Sequence, residues 1–170
     1  MNELQALLSP TSLACNSSTD PADVQFAPLQ LTVVNTSQAT ADLTNSGLRI
    51  EFVVDPGGTG SAGALILSQY SAGQNASGTP APSFVVEASA ATGTAWTITQ
   101  TQDAPCAFIA IPGAGAGVLT ASPGSGQAGG SISFVFANIA ADLVPGASPV
   151  TVAVLPGSSV TVADTRAAPT

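Results

Sequence analysis

Residues 29–35 read Leu29-Gln30-Leu31-Thr32-Val33-Val34-Asn35, and the run closes on Thr36-Ser37. Apolar and polar side chains take turns as far as Val33. A strand sends successive side chains to opposite faces, so this period of two predicts a half-buried strand ended by turn formers.

The same grammar recurs along the chain. Apolar, β-branched runs stand at 48–55 (LRIEFVVD), 64–70 (ALILSQY), 83–89 (SFVVEAS), 94–102 (TAWTITQTQ) and 106–112 (CAFIAIP). Others follow at 117–122 (GVLTAS), 131–139 (SISFVFANI), 149–155 (PVTVAVL) and 159–165 (SVTVADT). Clusters of Gly, Pro, Asn and Ser separate them. About ten short strands at such spacing predict an all-β chain, either sandwich or barrel. The unequal loops DPGGTGSAG and SPGSGQAGG favour an antiparallel two-sheet β-sandwich, immunoglobulin-like or jelly-roll-like, over the even hairpins of an up-and-down barrel. Leu155-Pro156-Gly157-Ser158 predicts a tight turn that joins the last two strands as a hairpin.

Before the first clear strand the pattern differs. Met1 to about Leu8 can form an arm or a short helix of one or two turns that Ser9-Pro10 stops, and CNSSTDPAD after it reads as a loop or an arm lying on the surface. The expected organisation is thus an N-terminal arm over 1–23, a β-sandwich domain over 24–165 and a flexible tail over 166–170. At 170 residues one domain can bury a core without a metal or several disulfides.

Ten carboxylates face two arginines, with no lysine and no histidine, for a net charge of −8. Charged residues make up 7% of the chain against a usual figure of about 25%. Binding to nucleic acid or to anionic membrane surfaces is not expected, because no basic patch can neutralise phosphate. Membrane insertion is not expected either, since no apolar run approaches the roughly 18 residues of a spanning helix. Glu3 stands where a secretory leader carries positive charge and Pro10 breaks the apolar run, so no leader is expected in this stretch.

Candidate chemistry is sparse. Without histidine or lysine, neither the usual serine triad nor a Ser–Lys pair can be built. The carboxylates Glu51, Asp55, Glu87, Asp103, Asp142 and Asp164 lack the close spacing of a calcium loop, and Asp55 before Gly57-Gly58 reads as a turn opener. No catalytic residue, metal or cofactor is therefore expected. Cys15 and Cys106 permit one disulfide tying the N-terminal segment to the body of the fold, or two separate thiols. Sequons stand at Asn16, Asn35 and Asn75.

Trp96 is the one tryptophan and Tyr70 the one tyrosine. Alternation puts Trp96 and Ile98 on one face of their strand and Thr97, Thr99 and Thr101 on the other. Trp96 is expected in the core, where a chain poor in aromatics needs volume. The alternative role for Trp96, with Tyr70, is a stacking platform for a sugar.

Two stretches carry a resemblance. Residues 128–139 (AGGSISFVFANI), followed by Pro145-Gly146 and Val150-Thr151-Val152, and the earlier Leu31 to Ser37, resemble immunoglobulin-like sandwich modules of bacterial surface and secreted proteins. The resemblance implies a fold and no catalytic residue. With the composition, it leads to the expectation of a non-enzymatic structural or adhesive subunit, extracellular or at the cell surface. Its partners would be copies of itself or another protein, and the alternative is a carbohydrate-binding module or lectin.

Overall fold

The computed structural model describes residues 2–9, 27–52, 84–88, 96–100, 107–124, 127–139, 150–156 and 160–165. These residues are all-β, with no helix among them. In chain order the strands are β1 (Asn2–Ser9), β2 (Ala27–Asn35), β3 (Ala41–Asp42), β4 (Leu48–Phe52), β5 (Phe84–Ala88) and β6 (Trp96–Gln100). They continue with β7 (Ala107–Pro112), β8 (Val118–Leu119), β9 (Ser131–Ile139), β10 (Val150–Val154) and β11 (Val160–Thr165).

Three sheets result, with strand orders β11-β1-β2-β9-β5, β10-β4-β7-β6 and β3-β8. Alternation decides which face each strand buries. Leu29, Leu31 and Val33 of β2, Leu48, Ile50 and Phe52 of β4, and Val150 and Val152 of β10 are all buried. The inward side chains of the two larger sheets belong to one hydrophobic cluster.

Aromatic rings knit that cluster together. Phe52 of β4 meets Phe136 of β9 edge to face at 4.9 Å, and Phe108 of β7 lies 5.2 Å from Phe136. Trp96 of β6 stands perpendicular to Phe134 of β9 at 5.6 Å. Each contact runs from one larger sheet to the other. Such pairs add about 1 kcal/mol apiece beyond the area they bury.

Three expectations differ from the structure. The N-terminal helix is replaced by β1, which lies in the five-stranded sheet, antiparallel to β2 and parallel to β11. Leu4 and Ala6 point into the core and Leu8 packs against it, a period of two that pairing on both sides rewards, whereas eight residues are too few for a helix to stand alone. The parallel β1–β11 ladder also departs from a wholly antiparallel arrangement; the remaining ladders are antiparallel. Finally, β10 and β11 do not form a hairpin: β10 pairs with β4 and β11 with β1, so the chain changes sheet between them. The expected strand at 64–70 and the tail at 166–170 lie outside the described residues.

Candidate functional site

Trp96 is 4% exposed and its ring packs on Phe134, while Thr97 and Thr99 face solvent. The indole offers no free face on which a sugar could stack. Its Nε1 is buried without a hydrogen-bond partner among the described residues. Trp96→Phe should therefore cost little, about 1 kcal/mol, because it keeps the ring contact and removes a polar group that gains nothing from burial. Trp96→Ala leaves a cavity and should cost about 3 kcal/mol. Urea unfolding of both variants checks this, and equal small losses would take the ring out of the core. Tyr70, Cys15 and Cys106 lie outside the described residues, as do Asp55, Asp103 and Asp142.

The remaining carboxylates of that set belong to three different strands. Glu51, on the outer face of β4, accepts a hydrogen bond from Nε of Arg49 at 3.3 Å. Glu87 in β5 and Asp164 in β11 occupy opposite margins of the five-stranded sheet. Four strand spacings separate them, roughly 19 Å, beyond the ~10 Å limit of a glycosidase pair. Among the described residues no three Cys, Asp or Glu side chains gather as a metal site. Asp42 is held below the ordinary aspartate value by hydrogen bonds from the side chain and then the backbone of Thr44. Fully exposed, it stabilises a turn and has no catalytic setting.

A built site exists elsewhere, where the ends of β1 and β2 meet the segment 120–130. Its foundation is Asn35, 0% exposed. The side-chain amide Nδ2 donates to the carbonyls of Ala39 (2.9 Å), Leu119 (3.1 Å) and Thr120 (2.9 Å). Oδ1 accepts from the backbone N–H of Ser37 (3.0 Å) and from its hydroxyl (2.7 Å). The backbone of Asn35 also exchanges hydrogen bonds with Gly129 and Gly130. Side chain and backbone of this one residue thus tie 37–39, 119–120 and 129–130 together.

Glycines allow that closeness. A Cβ on Gly129 would lie 2.5 Å from the Thr120 oxygen, and one on Gly130 would lie 2.5 Å from the Thr120 nitrogen. The Ala-Gly-Gly-Ser stretch is therefore a close-packed backbone crossing. The buried Ser122 hydroxyl spans the carbonyls of Gly124 (2.9 Å) and Gln127 (2.6 Å) and shapes the same segment. These bonds also settle the Asn35 sequon: its Nδ2 faces inward and is fully engaged, so the folded chain cannot be glycosylated there. Asn16 and Asn75 lie outside the described residues.

Above this scaffold opens a cleft of about 500 Å³ lined by Gln5, Leu7, Val34, Thr36, Gln38, Ser122, Gly124, Gln127 and Ala128. None of these residues is ionisable. Leu7 and Val34 supply an apolar floor, and three glutamine carboxamides rise around it. Sequence reasoning missed the site, because glutamines from three distant segments form no motif.

A second surface feature is the outer face of the four-stranded sheet. Thr97, Thr99, Ile109, Ile111, Thr151 and Ala153 present themselves there, and Ile111 is 41% exposed. The strand registers set Thr97 against Ile111, and Thr99, Ile109, Arg49 and Ala153 in a row. Among the described residues of this face, Arg49 and Glu51 are the charges, and they cancel.

Compared with known proteins, the chain matches no family model, no curated protein and no solved structure.

Proposed function

We propose that this chain is a non-enzymatic, immunoglobulin-like β-sandwich subunit that associates with copies of itself in an extracellular or secreted assembly. The two larger sheets are its layers. The observation that carries the reading is the outer face of β10-β4-β7-β6, threonine- and isoleucine-rich and without net charge among its described residues, on a chain whose net charge is −8. Copies of so acidic a chain repel each other through most surfaces, and a neutral face lets two approach without that penalty. Arg49 and Glu51 stand two residues apart on one strand. A twofold packing sets the Arg49 of each copy against the Glu51 of the other, the self-complementarity that an isologous interface requires. The absence of histidine and lysine from the chain and the four strand spacings between Glu87 and Asp164 support a role without catalysis.

Ile111→Glu tests the reading, because it places a carboxylate on the neutral face at an exposed large apolar side chain. Light scattering should show an assembly for the native chain and a monomer for the variant. Unfolding stability should agree to within about 0.5 kcal/mol, as is usual for surface changes. A native chain that is monomeric at high concentration, or a variant that assembles unchanged, overturns it.

A further inference from the structure

The cleft beside Asn35 is chemically distinct from the self-association face and lies on the other larger sheet. Its described lining residues combine an apolar floor, Leu7 and Val34, with the carboxamides of Gln5, Gln38 and Gln127, and none of them is charged. Leu7 is 43% exposed, a large apolar side chain left at the surface within a polar rim. Among the described residues, none of the three carboxamides has a hydrogen-bond partner, whereas the Thr36 and Ser122 hydroxyls are engaged with backbone carbonyls. Three free carboxamides, each able to donate and accept, therefore converge on one apolar patch.

That set of groups selects a class of ligand. An anion meets no cation among the described lining residues and is repelled by the chain as a whole. A cation finds no carboxylate among them. An extended peptide adding to the sheet would need an open strand edge, but β1 is paired on both sides, with β11 and β2, and β2 is paired with β1 and β9. A neutral polyol with an apolar face satisfies every feature: vicinal hydroxyls take paired donor and acceptor bonds from a carboxamide, and ring C–H groups cover Leu7 and Val34. We propose that this cleft binds an uncharged saccharide, with Gln5, Gln38 and Gln127 reading its hydroxyls. The sugar role considered for Trp96 thus passes to a site without an aromatic platform. It stands independently of self-association.

The test is NMR titration of the full chain with uncharged oligomers of glucose, mannose, galactose and N-acetylglucosamine, and with a uronic-acid oligomer as the charged control. At least one uncharged oligomer should shift the side-chain amide signals of Gln5, Gln38 and Gln127 and the methyls of Leu7 and Val34, saturably. Gln38 and Gln127 are exposed, so the Gln38→Ala/Gln127→Ala variant should melt as the native chain does and bind at least about tenfold more weakly, as expected when a polar ligand loses its partners. Ile111→Glu should bind as the native chain does, so binding and assembly can fail separately. The proposal is overturned if no uncharged oligomer binds, if the shifts map elsewhere, if the double variant binds equally well, or if the uronic-acid oligomer binds as tightly as the neutral ones.

Discussion

A chain that begins at Pro10 should fail to fold, and a peptide of residues 2–9 added to it should restore the native spectrum. β1 stands between β11 and β2, so its removal leaves two facing strand edges without partners and cuts β11 off from the rest of the sheet. Leu4, 0% exposed, and Ala6 leave the core with it, and Leu31 and Val33 of β2 lose the neighbours that β1 registers against them. Burying a leucine contributes about 2 kcal/mol, and two ladders are lost besides. Domains of this size are stable by only about 5–15 kcal/mol. Circular dichroism and cooperative urea unfolding, with and without the peptide, check the outcome. A truncated chain that unfolds cooperatively at the native midpoint would remove β1 from the sheet. For the same reason, trimming the N-terminus is a poor test of assembly, and Ile111→Glu is the cleaner one.

The second large effect is expected at Asn35. Asn35→Ala removes every side-chain hydrogen bond of Asn35; the carbonyls of Ala39 and Thr120 keep donors in Ser37 and Gly130, while the Leu119 carbonyl and the Ser37 N–H lose this partner. At about 1 kcal/mol for each hydrogen bond of two amide hydrogens and one carbonyl oxygen, the loss should be about 3 kcal/mol. Asn35→Asp should be worse near neutral pH, although it is nearly the same shape. It sets a carboxylate where three carbonyl oxygens converge, and the buried charge has no cation beside it among the described residues. Burial and those oxygens raise the folded-state pKa of such an aspartate above its unfolded value. The folded state then binds the proton more tightly, so the variant is least unstable at acid pH and loses stability as pH rises through the folded-state value. Urea unfolding of both variants between pH 4 and 8 tests the sign. An Asn35→Asp chain as stable at pH 8 as at pH 4 would contradict the inward orientation of the amide.

The difference between what was legible and what was not follows from how local each signal is. In β2, β4 and β10, alternation alone predicts which residues are buried, because one face is wet and a slip of one residue would expose every leucine and valine. Trp96 was readable in the same way. β1 was not, because Leu4, Leu7 and Leu8 fit a helix turn as well as Leu4, Ala6 and Leu8 fit a strand. The choice rests on β11, which lies at the far end of the chain. Likewise the turn chemistry of Pro156-Gly157 is local, but which sheet each flanking strand joins depends on β4 and β1. Asn35 was read as the residue that ends a strand. Two of its three carbonyl partners, Leu119 and Thr120, lie 84 and 85 residues away, and no pattern within a short window can contain them. The glutamines of the cleft escaped notice for the same reason.

The parallel pairing of β1 and β11 has a mechanical consequence. Asn2 lies beside Val160, and Ala6 beside Thr165, so the chain enters β1 at one end of the ladder and leaves β11 at the other. Tension applied through the flanking segments drags the two strands lengthwise past each other. All the rungs then bear the force together, rather than opening one after another as in a peeled hairpin. Strung in series within a fibre, such units would resist stretching at the joint where their two terminal strands meet.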